Sequence, residues 1–353
     1  MSLLIPTLYF KLSRSAISLS SLLLSSAVLA APLAEPTDDF LYQLKESLVK
    51  VNTTTKSGGH GFGTAVAISK ELAVTNCHVI SSTNGISISK WGTEYPVDSF
   101  QADWKHDLCI LKVAYADLKP VQLGDSSKLT YEQPLISISM PNDSPAPYVA
   151  LSAVKALYPM DDGLVIRSQA AFSIGASGSP VFDYAGNLIG ISTFKSPGKQ
   201  AYFYNMPVNW VKAALNTPSV ASTDAHDLPF WDAPEEQRPF FMQIVLPFQN
   251  ARWQDVMAVA KRWLQQEPDN AEAWYYQGEA NAHLGDTASA MQDFQKVLSL
   301  HADHPATLQA VALLQNAQGK QAETEKIRMT LKQINPELLE KLDSALRERA
   351  AQP

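Results

Sequence analysis

The chain has 353 residues, 46% hydrophobic and 18% charged, which is too long for one typical domain and fits about two. Its net charge is −7, and removing residues 1–30, which carry Lys11 and Arg14 but no acid, changes it to −7 − 2 = −9; such a balance gives no support to nucleic-acid binding. Two cysteines, Cys77 and Cys109, exclude a disulfide-rich scaffold.

Residues 1–30 read as a secretory signal peptide: Lys11 and Arg14 precede an apolar stretch, residues 15–30, that ends in small residues. That stretch has 16 residues and six serines, too short and polar to span a bilayer comfortably. Cleavage after Ala30 would leave an exported chain with no stable membrane span, in the bacterial periplasm or secreted. Residues 38–50 show weak helical spacing after a possible cap and lead into a strand over 47–54. Short β-rich runs follow at 62–69, 72–75, 86–89, 108–113, 135–140, 148–157, 164–168, 180–183, 188–193 and 201–205. Turn signals such as Asn84-Gly85, Asp162-Gly163 and Ala185-Gly186-Asn187 separate them, predicting an all-β domain.

Residues 207–215 predict one short amphipathic helix that closes this domain at about 216. Residues 217–239 hold Pro218, Pro229, Pro234 and Pro239 among polar residues and read as a linker. From 240 to 350 the strand signals stop. A period of 34 aligns Pro268, Ala302 and Pro336, and likewise Gly285 and Gly319. The copy over 271–304 carries Trp274, Gly278, Gly285-Asp286, Ala290 and Phe294, positions that resemble the tetratricopeptide pattern of paired helices. The tail is therefore expected to be an all-α solenoid, capped by a helix over 337–349.

Three short segments carry chemistry: Thr75-Asn76-Cys77-His78-Val79, then Asp103-Trp104-Lys105-His106-Asp107-Leu108, then Gly175-Ala176-Ser177-Gly178-Ser179-Pro180. Serine is a poor nucleophile until an imidazole takes its proton and a carboxylate fixes that imidazole's tautomer. The order is base, acid, nucleophile. His78 follows one strand and Asp107 opens another, while Asp103 and His106, the competing candidates, fall in the loop before it. Ser177 lies between glycines, which suits a turn whose N–H groups face a substrate carbonyl.

Together with Gly61-Phe62-Gly63-Thr64-Ala65 and Leu188-Ile189-Gly190-Ile191-Ser192-Thr193, these segments make residues 40–216 resemble a trypsin-like serine peptidase of the HtrA/Deg type. The resemblance implies two packed six-stranded β-barrels, a His78, Asp107, Ser177 triad, and an oxyanion hole formed by the N–H groups of Gly175 and Ser177. Ala176 stands where digestive peptidases have an aspartate for a newly cut N-terminus, so activation of that kind is not expected. Ala171, Phe172, Ile174 and Ser192 are expected to wall the specificity pocket. The segment leading to Ser177 lacks a carboxylate, so small or medium apolar side chains fit it better than Arg or Lys.

Cys77 precedes the proposed base and Cys109 follows the proposed acid by two residues, which leaves open either one disulfide or two buried thiols. No cofactor is implied. His301 and His304 lack a third ligand nearby, so no metal site is expected. Expected partners are a protein or peptide substrate, and an adaptor or a second copy at the helical repeats. A latent peptidase that works as a protein-binding scaffold is the alternative from another functional class. HtrA-type enzymes carry a PDZ module where this chain has repeats, which weakens any transfer of their assembly or activation.

Overall fold

The computed structural model describes residues 34–141, 146–220, 223–224 and 227–350. The signal-peptide reading of residues 1–30 lies outside the described residues. From Glu35 onward the chain forms one compact unit.

Helix α1, Asp38–Lys45, begins at Thr37, whose hydroxyl accepts the Phe40 N–H, and has Asp38 and Asp39 in its first turn to favour the helix dipole. Strands β1 Leu48–Thr55, β2 His60–Ala67 and β3 Leu72–Thr75 follow, then the one-turn helix α2, Cys77–Ile80. Next come β4 Thr83–Lys90, β5 Thr93–Pro96, β6 Ser99–Asp103 and β7 Leu108–Lys112. The second half contributes β8 Pro134–Ser139, β9 Tyr148–Met160, β10 Gly163–Ser168, β11 Pro180–Asp183, β12 Leu188–Lys195 and β13 Phe203–Pro207. Helix α3, Val208–Ala214, and a two-residue strand, β14 Ser219–Val220, complete this part.

Strands β8 to β13 close into a six-stranded barrel in the order β10-β13-β12-β11-β8-β9. The first half differs from the expected closed barrel of six strands. It is an eight-stranded sheet in the order β14-β6-β7-β3-β2-β1-β4-β5. Closure would require β5 to pair with β6, but the outer edge of β6 is taken by β14 through the pairs Ser219↔Gln101 and Val220↔Phe100. The stretch expected as a linker is thus bound to the first β-rich half at one end. Asp103 also departs from expectation, because it ends strand β6 rather than lying in a loop.

The tail is helical: α4 Phe240–Gln243, α5 Val245–Gln249, α6 Trp253–Gln266, α7 Ala271–His283, α8 Thr287–Leu300, α9 Pro305–Ala317, α10 Gln321–Ile334 and α11 Pro336–Ala350. The starts of α6, α8 and α10 are 34 residues apart, as are those of α7 and α9, from 287 − 253, 321 − 287 and 305 − 271. Gly285 and Gly319 end α7 and α9 at φ +91° and +73°, a region that favours glycine. Gly278 lets α7 and α8 touch, since a Cβ there would lie 2.5 Å from the Phe294 ring.

The helices and the closed barrel share one apolar core. Tyr158 of β9 stacks on Phe241 at 4.5 Å between ring centroids and packs near Trp263 at 6.3 Å. Tyr158, Trp263 and Tyr276 are fully buried, and side chains of this size each stabilise the packed state by about 1.5–3 kcal/mol. A buried polar cluster crosses the same boundary. Glu272 of α7, 2% exposed, accepts from Tyr131 Oη at 2.9 Å, and His304 Nε2 lies 3.4 Å away. Burial opposes the charge of Glu272, but the His304 hydrogen bond and nearby Arg167 outweigh it and hold the carboxyl below its ordinary range.

Candidate active site

Strand β3 pairs with β7, setting Val74 opposite Ile110 and Thr75 opposite Cys109. This register brings the end of β3 beside the start of β7. His78 emerges on α2, and its backbone N–H donates to Asp107 Oδ1 at 2.8 Å while its Nδ1 lies 2.6 Å from Asp107 Oδ2. Asp107 is 1% exposed and has φ +58°, an uncommon conformation for a residue with a side chain. Its backbone oxygen accepts from Asn76 Nδ2 at 2.9 Å and from the Cys77 N–H at 3.3 Å. The carboxylate is thereby aimed at the imidazole by contacts on its own main chain. Cys77 and Cys109 form a disulfide between α2 and β7, beside both residues.

The Ser177 turn comes from the other half. Thr64 of β2 donates its N–H to Ser177 O at 2.9 Å and its hydroxyl to Gly175 O at 2.9 Å, while the Gly178 N–H donates to Ser192 O at 2.9 Å. Gly178 has φ +85°, and a Cβ there would lie 2.1 Å from Thr64 O and 2.4 Å from Thr75 Oγ1. Gly63 abuts both sides of the site: a Cβ there would lie 2.7 Å from Val79 Cγ1 and 3.2 Å from Ser177 O. So the turn is seated against the strands and helix that carry His78. Ser177 Oγ makes no hydrogen bond with His78, and the N–H groups of Gly175 and Ser177 have no acceptor among the described residues. The Ala176 N–H, by contrast, donates to Ser173 O at 3.0 Å.

The competing acid and base form a separate pair. His106 Nδ1 lies 2.6 Å from Asp103 Oδ2, its Nε2 lies 3.1 Å from Asp161 Oδ2, and its ring stacks on Trp210 at 3.9 Å. Both of its nitrogens are therefore engaged, and the contact with Asp161 crosses the boundary between the two β halves. Among the expected pocket residues, Ala171 and Ile174 are exposed, and Phe172 meets Phe203 edge to face at 5.1 Å. Ser192 does not fit that role. It is 2% exposed and its hydroxyl donates to Asn205 Oδ1 at 2.9 Å, so it braces β12 against β13. His304 is buried as the cap of α9, accepting from the Thr307 N–H at 3.1 Å, and His301 faces Tyr131.

Residues 63–191 match the trypsin-like peptidase domain. This part of the chain is similar to that family. Its similarity extends to named relatives. A probable periplasmic serine endoprotease, DegP-like, of Halomonas elongata is 30% identical over 155 residues, which are 42% of this chain and 33% of that protein. Another of that description from Rickettsia conorii is 31% identical over 173 residues, 46% of this chain and 34% of that protein. The match therefore spans about a third of the length of these relatives. Among solved structures, the HtrA-type protease AlgW with tripeptide is 27% identical, with a TM-score of 0.43, covering 50% of this chain and 60% of that one.

Two features of the peptidase domain's surroundings escaped the sequence reading. Asn76 is buried, with its Nδ2 shared between Asp107 O and Thr193 Oγ1, both at 2.9 Å. Phe230-Trp231, in the stretch expected as a linker, packs on the peptidase domain, and Trp231 meets the His78 ring edge to face at 5.6 Å. Two adjacent large aromatics in a segment assigned to solvent were the available signal.

Proposed function

We propose that this chain is an exported serine endopeptidase that cleaves protein or peptide substrates through an acyl-enzyme. The observation that carries the reading is the buried Asp107 carboxylate 2.6 Å from His78 Nδ1, beside a turn that presents Ser177 and two unengaged N–H groups. Asp107 fixes the tautomer in which His78 Nδ1 is protonated, so Nε2 is the base. Ser177 Oγ then attacks the scissile carbonyl as Nε2 takes its proton. The oxyanion accepts from the N–H groups of Gly175 and Ser177, each such donor being worth about 2.7–4 kcal/mol in the transition state. His78 returns the proton to the leaving amine, and water attacks the ester by the same route in reverse. The open Ser177 to His78 contact agrees with a resting site, because catalytic hydrogen bonds tighten when substrate binds.

The surface near Ala171, Phe172 and Ile174 has no acid in its segment, so it favours small or medium apolar side chains. The helical array, which we read as a tetratricopeptide-like solenoid, would recruit the protein substrate, an adaptor or a second copy. The relatives described as periplasmic support export, and among the described residues no helix is long and apolar enough to cross a membrane. The test is an active-site fluorophosphonate probe on the mature chain. Labelling of wild type but not of Ser177→Ala supports the enzyme. Absence of labelling under any condition overturns it in favour of a scaffold whose work is done by the helices.

A further inference from the structure

The carboxylate of Asp107 receives three hydrogen bonds among the described residues, and one of them comes from outside the peptidase domain. Two are from His78, by its backbone N–H at 2.8 Å and its Nδ1 at 2.6 Å. The third is from the indole of Trp231, whose Nε1–H donates to Oδ2 at 3.1 Å across 124 positions of sequence. Oδ2 is the oxygen that faces the His78 ring, so the indole and the imidazole share one acceptor. The nearby hydroxyl of Thr193 does not serve Asp107: it donates to Ile191 O at 2.9 Å and accepts from Asn76.

Trp231 is held where this donation is possible. It stacks on Phe194 at 5.6 Å with an interplanar angle of 20°, and its edge meets His78. The residue before it is anchored harder. Phe230 is 7% exposed, its N–H donates to Lys105 O at 3.0 Å in the turn that leads into Asp107, and its ring packs against Phe194, Trp210 and Phe241. Phe241 lies in α4, the first helix of the array. A path of packed side chains therefore runs from the helical array through Phe230 to the indole on the carboxylate.

We infer that Trp231 is a positioning residue for catalysis, which fixes the Asp107 carboxylate against His78 and makes the connector to the helical array a part of the catalytic centre. The inference rests on the assignment of His78, Asp107 and Ser177 made above. A carboxylate has room for about four donors and a buried one gains from each. Without the indole N–H, Oδ2 loses one of its two donors and is held less firmly on the line to Nδ1, so the imidazolium formed in the transition state is less well aligned. Asp107 is buried, so binding of substrate should be unaffected.

The full mature chain serves for the test. In one variant Trp231 is replaced by benzothienylalanine, which keeps the ring and puts sulfur where the N–H was; Trp231→Phe is the genetic counterpart. With circular dichroism showing both folded, the second-order rate of fluorophosphonate labelling at Ser177 should fall about tenfold, as should kcat on a peptide substrate, with KM unchanged. The far-downfield proton resonance of His78 Nδ1–H should move in both variants. Wild-type labelling with equal rates in all three proteins overturns the inference. Absence of labelling in wild type counts against the peptidase reading instead, and the proton resonance still decides the role of Trp231, an unmoved signal overturning it.

Discussion

Replacing Gly178 by alanine adds one carbon atom at the most crowded point of the nucleophile turn. That atom would lie 2.1 Å from Thr64 O, 2.4 Å from Thr75 Oγ1 and 3.1 Å from Thr75 Cα. The first two atoms are themselves hydrogen-bonded to each other at 2.7 Å, so neither can withdraw without opening the β2 to β3 contact. Relief to ordinary van der Waals separation requires a shift of about 1 Å or more. The turn also carries the Thr64 N–H to Ser177 O and Gly178 N–H to Ser192 O bonds, which a shift of that size breaks. A misplacement of about 1 Å costs on the order of 100-fold in rate. Left-handed backbone alone costs alanine about 1–2 kcal/mol, and overpacking adds about 1–3 kcal/mol. Gly92 supplies the control, with φ +82° and nothing within 4 Å of its Cβ position; Gly92→Ala should show the backbone cost only. Urea unfolding and fluorophosphonate labelling of both variants separate the two contributions. Gly178→Ala that labels at the wild-type rate, or loses no more stability than Gly92→Ala, would refute the packing argument.

Reducing the Cys77–Cys109 bridge, which closes a loop of 32 positions, should cost about 3–4 kcal/mol by the chain-entropy account, read as a lower Tm in dithiothreitol that Cys109→Ala reproduces. Glu272→Ala leaves Arg167 without its nearby buried counter-charge and Tyr131 and His304 without a shared acceptor; a loss of about 3–5 kcal/mol is expected, with limited proteolysis cutting first in the helical array. Burial pushes the Glu279 carboxyl up to about 7 from the ordinary 4.5. The folded state then holds a proton that the unfolded state releases, so stability falls as pH rises from about 4.5 to about 7 and levels above. Glu279→Gln should flatten that slope in urea titrations across this range, and an unchanged slope would exclude Glu279 as its source.

What could be read from the sequence was what local chemistry encodes. His78 sits after a strand ending in Val74-Thr75, Asp107 before Leu108, and Ser177 between small residues, and each of these flanks is a short-range signal. The helical tail was legible for the same reason, since Gly285 recurs as Gly319 where helices end, and Gly278 and Phe294 stand where two helices cross. Long-range arrangements were not legible. Strand β5 carries polar residues because it is a largely exposed edge, which hides the period-2 alternation. Ser192 was assigned to the pocket by family resemblance, whereas the side its hydroxyl faces depends on the register of β12 with β13. Residues 217–239 were read as a linker, yet Ser219–Val220 pairs with β6 and Trp231 meets His78. Composition reports stiffness there and says nothing about what the segment touches.

The most direct measurement is the crystal structure of this chain after reaction with a small fluorophosphonate. The account predicts phosphorus bonded to Ser177 Oγ, one phosphoryl oxygen within about 2.7–3.1 Å of the Gly175 and Ser177 nitrogens, and His78 Nε2 within hydrogen-bond reach of the adduct with its bond to Asp107 kept. An adduct on another residue, or one on Ser177 whose oxygen points away from both N–H groups, would contradict it.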